Sequence, residues 1–188
     1  LVSSSAASDV YKRQPYQSPQ PGLAMRLVRG EQVVIERTIG LAELNSMQTV
    51  GATTNFRLAS ITKHLTALAI LMLIEDGRLT LDTRLNEILP RFPEYAERIS
   101  IQHLLQHQSG LLDYEPLVPL DRQPRIRDRG VVNLLLEVSV LDFEPGTSYH
   151  YSNSGYAVLA VIVETITNQA FETFLQERIF NPSKMSQS

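Results

Sequence analysis

From Leu65 to Ile74 every residue but Thr66 is apolar, the longest such run in the chain. It is about half the roughly 20 residues that span a bilayer, so it reads as a buried helix rather than a transmembrane one. Whatever fold this chain adopts must wrap a core around that helix. With 188 residues, 43% of them apolar, there is enough material for one domain or a little more. The net charge of −3 gives no long-range attraction for nucleic acid or an anionic membrane. Arg122, Arg125, Arg127 and Arg129 come nearest to a basic tract, but Asp121 and Asp128 interrupt them and a solvated loop is expected. The absence of cysteine removes disulfides and thiolate metal sites from consideration.

The flanks divide the chain unevenly. Residues Leu1 to Gln14 are rich in Ser and Ala and unlike the rest of the chain, as in a translated vector segment or a disordered tail, so the domain is expected to occupy 15–188. No charged n-region or apolar h-region opens the chain, and no signal peptide is expected within it. After a Pro- and Gly-bearing linker, Leu23, Met25 and Leu27 alternate with more polar positions. Arg29-Gly30-Glu31-Gln32 can turn, and Val33, Ile35 and Ile39 resume a period of two, which predicts strands over 23–29 and 32–40. A hairpin alone is marginal in water and needs further strands, yet none is evident before residue 188. From residue 60 the pattern is helical: 60–76 stopped by Asp76-Gly77, 82–89 before Pro90, a Ser100-capped helix to about 108, then 130–139, 154–167 and 170–180. Residues 112–129, rich in Pro, Asp and Arg, predict a long loop. The sum is an α+β fold, a strand pair followed by a mostly helical block.

The apolar run is opened by Ser60-Ile61-Thr62-Lys63. On a helix, positions i and i+3 share a face, so the amine of Lys63 can lie beside the hydroxyl of Ser60. A serine hydroxyl is a poor nucleophile until a base takes its proton, and a lysine at its ordinary pKa of about 10.4 is neutral only about once in 2,500 molecules at pH 7. Burial against Leu65, Leu68, Ala69, Leu71 and Met72 is expected to favour the neutral amine. At a helix start the Ser60 amide also lies among unpaired donors that can face a developing oxyanion. By itself S-x-x-K is a common pattern. Only three lysines occur in the chain, however, and this one opens its most apolar helix, where a charge is costly without a role.

Some ninety residues later Tyr151-Ser152-Asn153 comes after the Pro145-Gly146 turn at the threshold of another helix. A phenol beside an amine can accept the Ser60 proton and return it to a leaving group, and a carboxamide can hold both the amine and a substrate amide. The structural alternative makes Tyr149, Tyr151 and Tyr156 buried aromatics and Asn153 a helix cap.

Taken together, Phe56 to Lys63, His103-Leu104-Leu105-Gln106-His107-Gln108-Ser109-Gly110-Leu111, Pro145-Gly146 and Tyr151 to Tyr156 closely resemble the class C β-lactamase-related family, which also holds D-alanyl-D-alanine carboxypeptidases and serine esterases. The resemblance runs from about Gly22 to Met185. It implies a β-lactamase/transpeptidase-like fold, with the hairpin belonging to an antiparallel sheet. It also implies Ser60 as the acylated nucleophile, Lys63 as its partner, and Tyr151 and Asn153 as the second catalytic element, with no cofactor. The acyl donor would be a β-lactam, a D-alanyl peptide of the peptidoglycan type or a carboxylic ester, and export to the periplasm or medium would be expected. Two departures stand out. No Lys or His followed by Thr or Ser and Gly occurs, so the C-terminal strands and third motif are missing and little activity is expected of this chain by itself. Gln108 stands where many members carry Thr, and Ser183-Lys184-Met185 replaces the usual Leu-Gly-Met.

Two other readings compete. His103 and His107, at i and i+4, are the strongest candidates for a metal pair, but no Glu follows the first His and packing or turn capping is expected instead. His64 and His150, which flank the two motifs, read as local structural residues. A non-catalytic penicillin-binding-like, peptidoglycan-binding or regulatory module of the same fold is the alternative of a different class.

Overall fold

The computed structural model describes residues 19–118 and 126–186, which form two compact units, 19–57 and 58–186. The Ser- and Ala-rich tail, and Arg122 and Arg125 of the arginine-bearing loop, lie outside the described residues.

In the first unit β1 (Leu23–Arg29) pairs antiparallel with β2 (Gln32–Ile39), with Leu23 opposite Ile39 and a bulge between Leu27 and Val28. The turn is Gly30-Glu31, and Gly30 takes φ +58°, which suits a residue without Cβ. Arg26 and Glu36 sit directly opposite each other and pair at 2.7 Å. The expectation of no further strands is corrected by β3 (Leu41–Glu43) and β4 (Gln48–Thr49), a separate two-stranded antiparallel sheet. Pieces of three and two residues are too short to carry a period of two.

The second unit is organised around one helix. A 3₁₀ turn, Ala59–Ile61, leads into α1 (Thr62–Glu75), and α2 (Leu85–Ile88), α3 (Ile101–Leu105), α4 (Asp128–Leu136), α5 (Asn153–Thr167) and α6 (Phe171–Leu175) come after it. A π-helical turn, Gln176–Phe180, extends α6. In α5 every residue from Ser154 to Val163 except Tyr156 is buried, the state expected of a helix apolar on all sides. Helices α1, α2, α3, α4 and α6 all pack on it. Fully buried Ile70, Leu73, Leu104, Leu135, Val158, Leu159, Ile162 and Phe174 form the shared core. Tyr95, in a 3₁₀ turn over Glu94–Arg98, donates its hydroxyl to the Leu135 carbonyl at 3.2 Å, and burial pushes its phenol up to about 12.

Several boundaries differ from expectation. Residues 82–84 are not helical, because Thr80 and Thr83 bond each other's amides and compete with the first turn. Ser100 caps α3 as predicted, accepting from the His103 amide at 3.2 Å, but the helix ends at Leu105 rather than near 108. There His107 turns left-handed at φ +59°, Gln108 N–H donates to the His103 carbonyl and His107 N–H to the Leu104 carbonyl, a Schellman closure with histidine in place of the usual glycine. The expected 112–129 loop holds a 3₁₀ turn at Glu115–Leu117, and α4 begins at Asp128 instead of 130. Among the described residues no single helix is long and apolar enough to cross a membrane.

Candidate active site

The N-terminal ends of α1 and α5 converge, and this brings the two sequence motifs together. Ser60 is in the 3₁₀ turn before α1, preceded by Ala59 at φ +49°. Alanine in the left-handed region is strained by about 1–2 kcal/mol, so packing, not local preference, holds the turn that presents Ser60. The Tyr151 hydroxyl donates to Ser60 Oγ at 2.7 Å, and Lys63 Nζ donates to Asn153 Oδ1 at 2.6 Å. The same amine lies 4.7 Å from the centroid of the Tyr151 ring and 5.5 Å from that of Tyr156.

The surroundings of the amine differ from those expected. Leu68 and Leu71 are 42% and 50% exposed, and Lys63 meets a carboxamide oxygen and two tyrosine rings rather than a sleeve of aliphatic side chains. The Tyr151 phenol is held below the usual tyrosine range, first by hydrogen bonding with Lys63 and then by its bond to Ser60. Burial, with a smaller contribution from Tyr151 and Tyr149, moves the neighbouring Tyr156 the other way, and its hydroxyl donates to the Leu105 carbonyl at 3.1 Å. Two phenols on one ring cluster are thus driven apart.

Ser152, not Asn153, caps α5, accepting from the Gly155 amide at 3.1 Å. Asn153 is thereby left free to face Lys63, and its Nδ2 donates to Glu115 Oε1 at 2.8 Å. Tyr149 and Tyr151 are 66% and 41% exposed, so neither is the buried aromatic of the structural alternative. Sequence reasoning missed Glu115: an acidic residue in a loop rich in charge carries no signal of its own.

The side chains of the four histidines take separate partners. His103 Nδ1 accepts from the Ser100 amide at the start of α3, and His107 Nδ1 accepts from the Ser152 amide at 3.1 Å. His64 Nδ1 bonds the Ile61 carbonyl, and His150 lies 3.8 Å from Asp142. No group of three or more His, Asp or Glu among the described residues is arranged to hold a metal.

A family profile described as Beta-lactamase matches residues 9–188. Penicillin-binding protein 4* of Bacillus subtilis is 32% identical over 162 residues, which are 85% of this chain and 36% of that protein. A D-aminopeptidase of Gluconobacter oxydans is 31% identical over 177 residues, 93% of this chain and 33% of that protein. Among solved structures, D-amino acid amidase from Ochrobactrum anthropi SV3, complexed with L-phenylalanine amide, superposes with a TM-score of 0.78 at 26% identity, covering 95% of this chain and 49% of that one. The penicillin binding protein from Bacillus halodurans gives 0.74 at 28%, covering 88% and 50%. The chain therefore spans about a third of the length of these sequence relatives and has a β-lactamase/transpeptidase-like fold. With the profile running over nearly all its residues and relatives above 30% identity, this chain belongs to the beta-lactamase family.

Proposed function

We propose that the full-length gene product is a serine hydrolase that works through an acyl-enzyme on Ser60. The observation that supports this most is the 2.7 Å bond between the Tyr151 hydroxyl and Ser60 Oγ, beside an amine that lowers the cost of ionising the phenol. With Tyr151 as phenolate the bond reverses. Ser60 gives its proton to Tyr151 as Oγ attacks the acyl carbon, Tyr151 passes that proton to the leaving group, and acyl-Ser60 remains. Water then repeats the sequence, losing a proton to Tyr151 and releasing Ser60 with its hydroxyl restored. Asn153 accepts from Lys63 and fixes the amine beside the Tyr151 ring. The Ser60 amide, in the 3₁₀ turn that opens α1, is the donor assigned to the developing oxyanion.

For the acyl donor we favour a D-amino-acid amide or short D-peptide with a free amino group over a β-lactam or simple ester. Relatives named D-aminopeptidase and D-amino acid amidase are consistent with this, and so is Glu115. Its carboxylate is exposed, tied by one oxygen to Asn153, with no second partner among the described residues, and so can receive an ammonium.

Incubating the full-length protein with a fluorophosphonate or a short-chain nitrophenyl ester should add the acyl or phosphonyl mass to the peptide bearing Ser60, with no adduct in Ser60→Ala. An adduct in Ser60→Ala, or hydrolysis undiminished by that change, would remove Ser60 from the mechanism. Penicillin binding without turnover would favour a non-hydrolytic module. Glu115→Gln should lose about 10-fold or more in kcat/KM on D-amino-acid amides while sparing acetyl esters. Equal loss on both would refute a role in reading the amine.

A further inference from the structure

His107 lies outside both motifs, yet its ring meets three tyrosines at the site and it bonds the main chain on both sides of Tyr151. Its ring is 4.7 Å from that of Tyr151 and 5.0 Å from that of Tyr156, tilted by 33° and 34°, and meets the edge of Tyr149 at 5.8 Å. Its Nδ1 accepts the Ser152 amide, the N–H immediately after Tyr151, and its backbone carbonyl accepts the His150 amide at 3.0 Å, immediately before Tyr151. Tyr151 is therefore bracketed on both sides by bonds to one residue and backed by that residue's ring. His107 itself takes the left-handed backbone, φ +59°, that closes α3.

We infer that His107 is a positioning residue for acyl transfer: by accepting the Ser152 amide and stacking on Tyr151, it fixes the phenol on Ser60. This rests on the acyl-transfer reading above. The ring must be the tautomer with its proton on Nε2, since a proton on Nδ1 would point at the Ser152 N–H, donor against donor. The groups that face it are Lys63 from α1, Tyr149 and Tyr151 from the preceding loop and Tyr156 from α5. Burial first, and the Lys63 charge second, depress its basicity and keep it in that neutral form. Because the folded state disfavours the imidazolium, the contribution of His107 to stability is present above the unfolded histidine pKa and is lost as the pH falls through the lower folded value.

Two variants of the full-length protein separate the ring from the acceptor. His107→Phe keeps a ring and loses the acceptor. His107→Asn loses the ring, but its oxygen can take the Ser152 N–H and asparagine tolerates the left-handed backbone. In His107→Phe, kcat on a nitrophenyl ester should fall about 10²-fold with KM within about twofold, the scale expected for a misplacement of about 1 Å. The part of the tyrosinate absorbance that Tyr151→Phe removes should titrate at higher pH than in the parent protein, because the phenol leaves Lys63 and Ser60. His107→Asn should recover part of both effects. An unmoved Tyr151 titration and pH–rate profile in His107→Phe would overturn the inference even if the melting temperature dropped, since packing alone would explain that. If the parent protein hydrolyses nothing, the acyl-transfer reading fails, while the phenol titration still decides whether His107 positions Tyr151.

Discussion

Tyr151→Phe in the full-length protein should lower the rate of Ser60 acylation by about 10²–10⁴-fold, the usual worth of a positioned proton-transfer group. The replaced atom is one hydroxyl on a side chain 41% exposed, and the ring that packs on His107 and lies under Lys63 remains. Melting temperature should therefore stay within about 1 kcal/mol of the parent's stability, about 2–4 °C for a protein of this size or larger. The pH dependence is set by the sign of the shift. Lys63 and Ser60 lower the Tyr151 pKa, so the active phenolate gains population as pH rises, and the limb begins below the ordinary tyrosine range. Tyr151→Phe should abolish that rising limb as well as the rate. A variant with the limb intact would mean that another group takes the Ser60 proton.

Gly110→Ala should have the largest effect on stability of any methyl added at a glycine of the second unit. Gly110 has φ +72°, and a Cβ there would stand 2.1 Å from the Phe143 carbonyl oxygen. The left-handed backbone alone costs an alanine about 1–2 kcal/mol. The contact adds more, because the opposing atom belongs to a backbone that cannot swing aside. Segment 142–150 is tied to 107–110 by three main-chain bonds: Asp142 N–H to Gly110 O, Gly146 N–H to Gln108 O and His150 N–H to His107 O. Displacing Phe143 strains all three. A loss above about 3 kcal/mol is expected, about 6–12 °C in melting temperature, with a parallel loss of acylation because this ladder carries Tyr151. Thermal melting of the full-length pair tests it; an unchanged melting temperature would show that the two segments separate without cost.

The parts of this structure that announce themselves in the sequence are those fixed by short-range pattern. The β1–β2 hairpin is legible from period-two alternation around Gly30, and α1 and α5 from apolar content and their stops. Ser60, Lys63, Tyr151 and Asn153 are legible because two spaced motifs occur together, and the fold bonds them in two pairs, Tyr151 to Ser60 and Lys63 to Asn153. What stays hidden depends on partners distant in sequence. Glu115 becomes notable only through Asn153, 38 residues away, and His107 only through Ser152, 45 away. The surroundings of Lys63 are illegible for another reason: a uniformly apolar helix does not say which of its sides is covered. Thr66, Ala69, Ile70 and Leu73 face the core, and Leu68 and Leu71 do not.

The bond between Tyr151 and Ser60 closes over 91 residues of chain. At about 5–20 residues per second, a ribosome delivers the nucleophile roughly 5–18 s before the residue that would activate it. On the proposed mechanism, a nascent chain in that interval carries Ser60 as an ordinary alcohol, with no phenolate to take its proton as it attacks an acyl donor. By the same mechanism, a chain arrested between the two motifs carries the nucleophile without the group that takes its proton.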